Sequence, residues 1–158
     1  AHPLKGDIQA VHIAGRRDYA DVVRAYEEAA LAGDKGFKLF DYREDMPRLY
    51  AAADLVISRS GASTVAELAH LRKPSVLVPL PSSAGGHQKA NAMALAARGA
   101  AVCVDEGPDF DAKLSAALRA VIDEPERAAA MTAAFASAGV PDGLAAASAL
   151  ADVVEGKA

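Results

Sequence analysis

Residues 54–69 read Asp54-Leu-Val-Ile-Ser-Arg-Ser-Gly-Ala-Ser-Thr-Val-Ala-Glu-Leu-Ala69. The apolar run Leu55 to Ile57 is short and continuous, as in a buried strand. Ser60, Gly61 and Ala62 supply a turn of small residues. Val65, Leu68 and Ala69 then recur at the spacing that places side chains on one face of a helix. Strand, small-residue turn and helix start form a geometry that holds a phosphate. The first amides of a helix lack internal partners, and the helix dipole adds about half a positive charge there. Gly61 has no Cβ to keep an anion from the backbone, and Ser60, Ser63 and Thr64 bring hydroxyl donors. The same residues also fit a helix start with no ligand. Ser60 can be an N-cap, and Thr64 with Glu67 matches the T-x-x-E capping box. Both readings stay open on these residues alone.

Outward from this centre the strand and helix signals alternate. On the N-terminal side, Asp7 to Ala14 reads as a strand containing His12, with a structural role for that histidine. Tyr19, Val22, Val23 and Tyr26 mark a helix that Gly33 is expected to end, and Phe37, Leu39 and Phe40 mark a second strand. Asp45 is placed to cap a short helix with Pro47 in its first turn. On the C-terminal side, Ser75 to Leu80 reads as a strand covered on both faces, followed by a long, flexible loop, Pro79 to Gly86. His87 to Ala97 reads as a helix stopped by Gly99, and Ala101 to Val104 as another strand. From Phe110 only helices are expected, with breaks at Asp123-Glu124-Pro125 and near Gly139-Val140-Pro141.

Alternating strands and helices predict an α/β fold, a Rossmann-like doubly wound parallel sheet, as one domain over residues 1–158. Ligands of such sheets sit beyond the carboxyl ends of the strands. Three segments leave those ends: Tyr42 to Met46, Ser60 to Glu67, and Ser82 to Asn91. Their expected convergence favours a ligand over simple capping. The turn at Ser60 to Thr64 suits a phosphate or pyrophosphate. Glu67, one helical turn on, can accept from both hydroxyls of a ribose. Gln88 and Asn91 share a helix face, and their amides suit sugar hydroxyls. Tyr42 and Met46 either flank a flat base or pack in the core.

Composition excludes several classes. Apolar residues are 52% of the 158 and charged residues 24%, as in a globular chain. The net charge of −4, without a long basic run, argues against duplex nucleic acid as a partner. The single cysteine, Cys103, allows no internal disulfide, fits a reducing compartment and reads as a small buried apolar residue. No apolar segment approaches the ~20 residues of a membrane span. The N-terminus carries no signal-peptide pattern and no initiator Met, which reads as a piece of something longer. His2, His12, His70 and His87 lack metal-ligand spacing, so no metal is expected. The G-x-S-x-G, P-loop and G-x-G-x-x-G signatures are missing too.

The runs M-P-R-L-Y-A-A-A-D-L-V-I-S-R-S-G-A-S-T-V-A-E-L-A, K-P-S-V-L-V-P-L-P, H-Q-K-A-N-A and A-A-R-G-A-A together resemble the MurG family. The resemblance runs from about Ile8 into the C-terminal helices. That family transfers N-acetylglucosamine from UDP-N-acetylglucosamine to the lipid-linked muramyl-pentapeptide precursor of peptidoglycan, with inversion. Its GT-B fold has two Rossmann-like domains, and this chain looks like the C-terminal, donor-binding one. The resemblance assigns the acceptor site, the membrane-facing surface and the general base to the N-terminal half, so the base is expected outside this chain and the catalytic residues are left unknown. The chain alone is expected to bind UDP weakly and to transfer nothing. By the same resemblance, Ser60, Gly61, Ala62, Ser63 and Thr64 hold the pyrophosphate, and Glu67 bonds the ribose. Gln88 and Asn91 contact the N-acetylglucosamine hydroxyls, and His87 begins that segment. Tyr42 and Arg43 line the uracil, partly through backbone groups, and His12-x-x-Gly15 has a family counterpart. Arg43 stands where the family usually has an aliphatic residue, and Ser82 to Gly86 lacks the charges often found before H-Q. The implied location is the cytoplasmic face of the bacterial inner membrane, peripherally bound, and no cofactor is implied. Two other functions fit the chain: the soluble subunit of a two-chain dolichol-linked N-acetylglucosamine transferase, and a non-catalytic α/β interaction module.

Overall fold

A computed structural model describes residues 8–137. It divides the chain into two compact units, residues 1–46 and 47–158, at a point where the sequence carries no linker signal. In chain order the elements are β1 (Ala10–Ile13), α1 (Tyr19–Glu28), β2 (Phe37–Phe40), α2 (Met46–Ala52), β3 (Val56–Ser58) and α3 (Ala62–His70). Then follow β4 (Ser75–Leu77), a 3-10 turn (Ala84–Gly86), α4 (His87–Ala96), β5 (Ala101–Cys103), α5 (Phe110–Ile122) and α6 (Pro125–Ser137). The α/β class and the parallel strands agree with the sequence reading. Hydrogen bonding describes two sheets, a pair β1-β2 and a triplet β3-β4-β5. The break that was expected near Gly139 lies outside the described residues.

In the first unit β1 and β2 pair in parallel, Ala10 opposite Phe37 and Ile13 opposite Phe40. The Tyr26 ring of α1 meets Phe37 edge-on at 6.5 Å, which ties the helix to the sheet. The helix ends earlier than Gly33. Ala30 takes a left-handed φ of 54°, its amide donates to Glu27 O, and Leu31 N–H donates to Tyr26 O. Together these bonds form a Schellman closure that satisfies the last carbonyls. Gly33 also has a positive φ, 79°, but in the turn that follows.

In the second unit β4 is the middle strand, with Ser75, Val76 and Leu77 opposite Val56, Ile57 and Ser58 on one side and Ala101, Val102 and Cys103 on the other. All three residues of β4 are buried, as expected for a strand covered on both faces. The ladder is shorter than the apolar run suggests. Val78 N–H still reaches Ser58 O, and then Pro79, with no N–H, ends it. Leu68 and Ala69 of α3, Leu77, Ala92 and Leu95 of α4, Ala100, Ala101 and Phe135 of α6 form the core. Several are alanines, which let helix and sheet backbones approach closely. Removal of the fully buried Leu68 side chain would forfeit about 2–5 kcal/mol. Pro125 sits at the first position of α6, where its missing N–H costs nothing.

Candidate functional site

In the second unit, β3 delivers the chain to the turn 59–61, and α3 begins at Ala62. Gly61 occupies the N-cap position in an extended conformation, φ −60° and ψ 153°, and no side chain caps the helix. The first helical bond is Val65 N–H to Gly61 O at 2.9 Å, so the amides of Ala62, Ser63 and Thr64 precede it. A Cβ at Gly61 would meet nothing within 4 Å. This helix start is therefore uncapped and open beside Gly61.

Neither capping reading is realised. The Ser60 side chain is fully buried, and its hydroxyl donates to Gln88 O at 2.8 Å. Thr64 is the third residue of α3 and Glu67 the sixth, so the pair does not bracket the helix start. Glu67 instead lies near enough to the Tyr50 hydroxyl on α2 to act on its ionisation. Burial first, then the charge of Glu67, push the Tyr50 pKa up. Glu67 is exposed, so its carboxylate still faces water.

Two bonds lock this turn to α4, and a third ties the exit of β4 to the same helix. Asn91 Nδ2 donates to Ser60 O at 3.0 Å, the Ser60 hydroxyl donates to Gln88 O, and Leu80 N–H donates to Gln88 Oε1 at 3.0 Å. Gln88 and Asn91 thus join the approach to α3, the first turn of α4 and the exit of β4. His87 opens α4 and is exposed. Ahead of it, Gly85 and Gly86 both have left-handed φ, 58° and 67°. A Cβ on Gly85 would stand 3.2 Å from His87 Nε2. The loop before His87 is a defined turn. Ser83 N–H donates to Leu80 O and Gly86 N–H to Ser83 O, and the twin glycines supply a backbone that other residues reach only with strain.

Arg59 was not singled out in the sequence. Its Nη1 donates to Val78 O and Pro79 O, each at 3.3 Å, and its Nη2 meets Glu106 Oε1 at 2.6 Å. One guanidinium therefore links the carboxyl ends of β3, β4 and β5. Its charge is matched by Glu106. Beside it Lys89 pairs with Asp105 and lies 3.6 Å from Cys103 Sγ. Burial raises the Cys103 pKa more than Lys89 lowers it, so the thiol is partly buried and protonated, close to the packing role expected of it. No sequence signal connects Arg59 with Glu106, because the contact forms only once β5 is laid beside β4.

The first unit holds the other predicted residues. Tyr42 is 52% exposed, and the Arg16 guanidinium lies 4.8 Å from its ring centre. The Arg43 side chain is folded back, bidentate to Asp45 at 2.8 and 2.7 Å and over the Phe40 ring at 4.7 Å. That pairing raises the Arg43 pKa further and engages the guanidinium within its own loop. His12 Nδ1 lies 3.2 Å from the Tyr26 hydroxyl, and desolvation lowers its pKa, in keeping with a structural histidine. Among the described residues no cluster of His, Cys, Asp and Glu suits a metal ion. No helix among them is long and apolar enough to cross a membrane.

The model of the glycosyltransferase family 28 C-terminal domain matches residues 1–146. The UDP-N-acetylglucosamine--N-acetylmuramyl-(pentapeptide) pyrophosphoryl-undecaprenol N-acetylglucosamine transferase of Methylobacterium sp. (strain 4-46) is 42% identical over 140 residues, 89% of this chain and 37% of that protein. The enzyme of the same name from Anaeromyxobacter sp. (strain Fw109-5) is 37% identical over 150 residues, 95% of this chain and 38% of that one. Among solved structures, Acinetobacter baumannii MurG superposes with a TM-score of 0.63 at 29% identity, over 79% of this chain and 37% of its own. The spinosyn forosaminyltransferase SpnP gives a TM-score of 0.62 at 18% identity, over 95% of this chain and 44% of its own, a likeness of fold alone. The chain thus spans less than half the length of these relatives, and it belongs to the glycosyltransferase family 28 C-terminal domains.

Proposed function

We propose that this chain is the donor-binding part of an inverting glycosyltransferase. It takes UDP-N-acetylglucosamine and serves transfer to a lipid-linked muramyl-pentapeptide in peptidoglycan synthesis. The observation that carries the reading is the uncapped start of α3 with open space beside Gly61. The names of the relatives support the donor and the acceptor. The diphosphate lies against the amides of Ala62, Ser63 and Thr64, with the hydroxyls of Ser63 and Thr64 at hand. Ser60 contributes through position, because its own hydroxyl is bound to α4. Negative charge grows on the leaving UDP as the glycosidic bond breaks. Fixed amide dipoles already aimed at that charge stabilise it with no reorganisation at the moment of transfer. Glu67, near Tyr50, takes the ribose hydroxyls, and Gln88 and Asn91 take the sugar with His87 at the edge of the segment. Tyr42 and the backbone of Arg43 take the uracil. The acceptor hydroxyl is the nucleophile, and its base, the acceptor site and the contact with the bacterial inner membrane belong to the other half of such an enzyme.

The test is Glu67→Ala, with UDP and free pyrophosphate titrated in parallel by calorimetry. Two lost ribose bonds to a charged acceptor should weaken UDP by about tenfold or more and leave pyrophosphate nearly unchanged. An equal loss for both ligands would refute the ribose role.

A further inference from the structure

We propose that Gln88 and Asn91 are locked with opposite polarity, and that this lock sets which hydrogen-bonding groups of a sugar the site accepts. The inference rests on the donor-site reading and adds a rule of selection to it. Both residues are amides on α4, three positions apart and therefore on one face. A free amide presents donors and acceptor alike. Here the backbone removes that freedom. Gln88 Oε1 is bound by Leu80 N–H, a group that can only donate, so the oxygen must be the end turned inward. Asn91 Nδ2 is bound to Ser60 O, a group that can only accept, so the nitrogen must be the end turned inward. Flipping either amide would set donor against donor or acceptor against acceptor.

The unengaged ends are then Gln88 Nε2 and Asn91 Oδ1. Among the described residues the one buried side-chain polar atom without a partner is Ser75 Oγ, so neither of these ends is sealed from water, and both residues are half-buried. The pair offers a donor from Gln88 and an acceptor from Asn91. A sugar oxygen facing Gln88 is read as an acceptor, and a hydroxyl facing Asn91 is read as a donor. A ligand that presents acceptors to both leaves Asn91 Oδ1 opposed by another lone pair.

The two residues also separate cleanly under substitution. In Gln88→Glu, a carboxylate oxygen still accepts from Leu80 N–H, while the outward donor becomes an acceptor. In Asn91→Asp, the outward acceptor survives, while the inward donor is lost and a carboxylate faces Ser60 O. Two quantities are measured on the whole chain. One is the thermal midpoint. The other is the sugar increment, the ratio of UDP-N-acetylglucosamine affinity to UDP affinity, by calorimetry. Gln88→Glu should hold its midpoint within about 1 °C and lose about tenfold of the sugar increment, with UDP affinity unchanged. Asn91→Asp should lower the midpoint by about 3–6 °C. A fall in midpoint for Gln88→Glu as large as that for Asn91→Asp would overturn the polarity assignment. UDP binding with an intact sugar increment in Gln88→Glu would overturn the selection rule alone. Failure of the unaltered chain to bind UDP would overturn the donor-site reading together with this inference, and the two thermal midpoints tell these cases apart.

Discussion

Replacing Ser60 with Ala separates a positional role from a ligand role at the centre of the site. The hydroxyl is fully buried and donates to Gln88 O at 2.8 Å. Its removal costs the net value of one neutral hydrogen bond, about 0.5–1.5 kcal/mol. The larger penalty of an orphaned carbonyl does not apply. Gln88 O lies in the first turn of α4, where an amide four residues on also bonds to it. The void left is one oxygen atom, too small to add much. A loss near 1 kcal/mol lowers the thermal midpoint by about 2–4 °C for a chain of this length. UDP affinity should fall by no more than about threefold, through a slightly looser turn. A hydroxyl that bonds the diphosphate directly would behave in the opposite way. Such bonds to charged groups are worth about 1.5–3 kcal/mol, or roughly 10- to 150-fold in affinity, and their loss would not touch the unliganded fold. Thermal denaturation and UDP calorimetry on the same preparation decide between the two. An unchanged midpoint with a tenfold or greater loss of UDP affinity would refute the positional account.

Other outcomes follow from the same geometry. Arg72 closes α3 with a left-handed φ of 51°, while its amide and that of Lys73 satisfy Ala69 O and Leu68 O. A non-glycine residue there is strained by about 1 kcal/mol, so Arg72→Gly should stabilise the fold by roughly 0.5 kcal/mol after the added freedom of the unfolded chain is deducted. Chemical denaturation checks it, and a loss of stability would mean that the Arg72 side chain does more than close the helix. Desolvation holds the folded pKa of His12 below the ordinary 6.5, so the unfolded chain binds the proton more readily. That contribution is present above about pH 6.5 and is lost as the pH falls below it. His12→Gln should flatten the decline between pH 7 and pH 5, and an unchanged pH profile would count against desolvation of the imidazole.

The central strand–turn–helix was legible because each part has its own local signal: an apolar run, small turn residues and helical spacing. The same holds for Gly99 as the stop of α4, where Ala100 N–H returns to Leu95 O, and for Pro125 at the start of α6. The end of α1 was not legible, because Ala30 takes the left-handed role that sequence reading assigns to glycine; α3 does end at the break that Arg72-Lys73-Pro74 marks, with Arg72 in that same role. The closing bonds, Leu31 N–H to Tyr26 O and Lys73 N–H to Leu68 O, hold them there against their own preference. The site was legible in its residue types but not in its internal bonds. Gln88 and Asn91 read as sugar amides, yet half of each is spent on Leu80 and Ser60. Those partners become neighbours only after β4 and α4 are folded against the turn. Arg59 escaped notice for the same reason, since Glu106 and the two carbonyls that it joins come from different strand ends. The division after Met46 falls within the helical pattern of α2 and carries no glycine or linker to mark it.

The claim on which the rest depends is that a diphosphate rests on the opening amides of α3. Backbone amide shifts followed by NMR during a UDP titration test it residue by residue. The account predicts saturable shifts concentrated at Gly61, Ala62, Ser63 and Thr64, which free pyrophosphate reproduces in part. Shifts clustered elsewhere with these four amides unmoved, or no response at millimolar UDP, would contradict it.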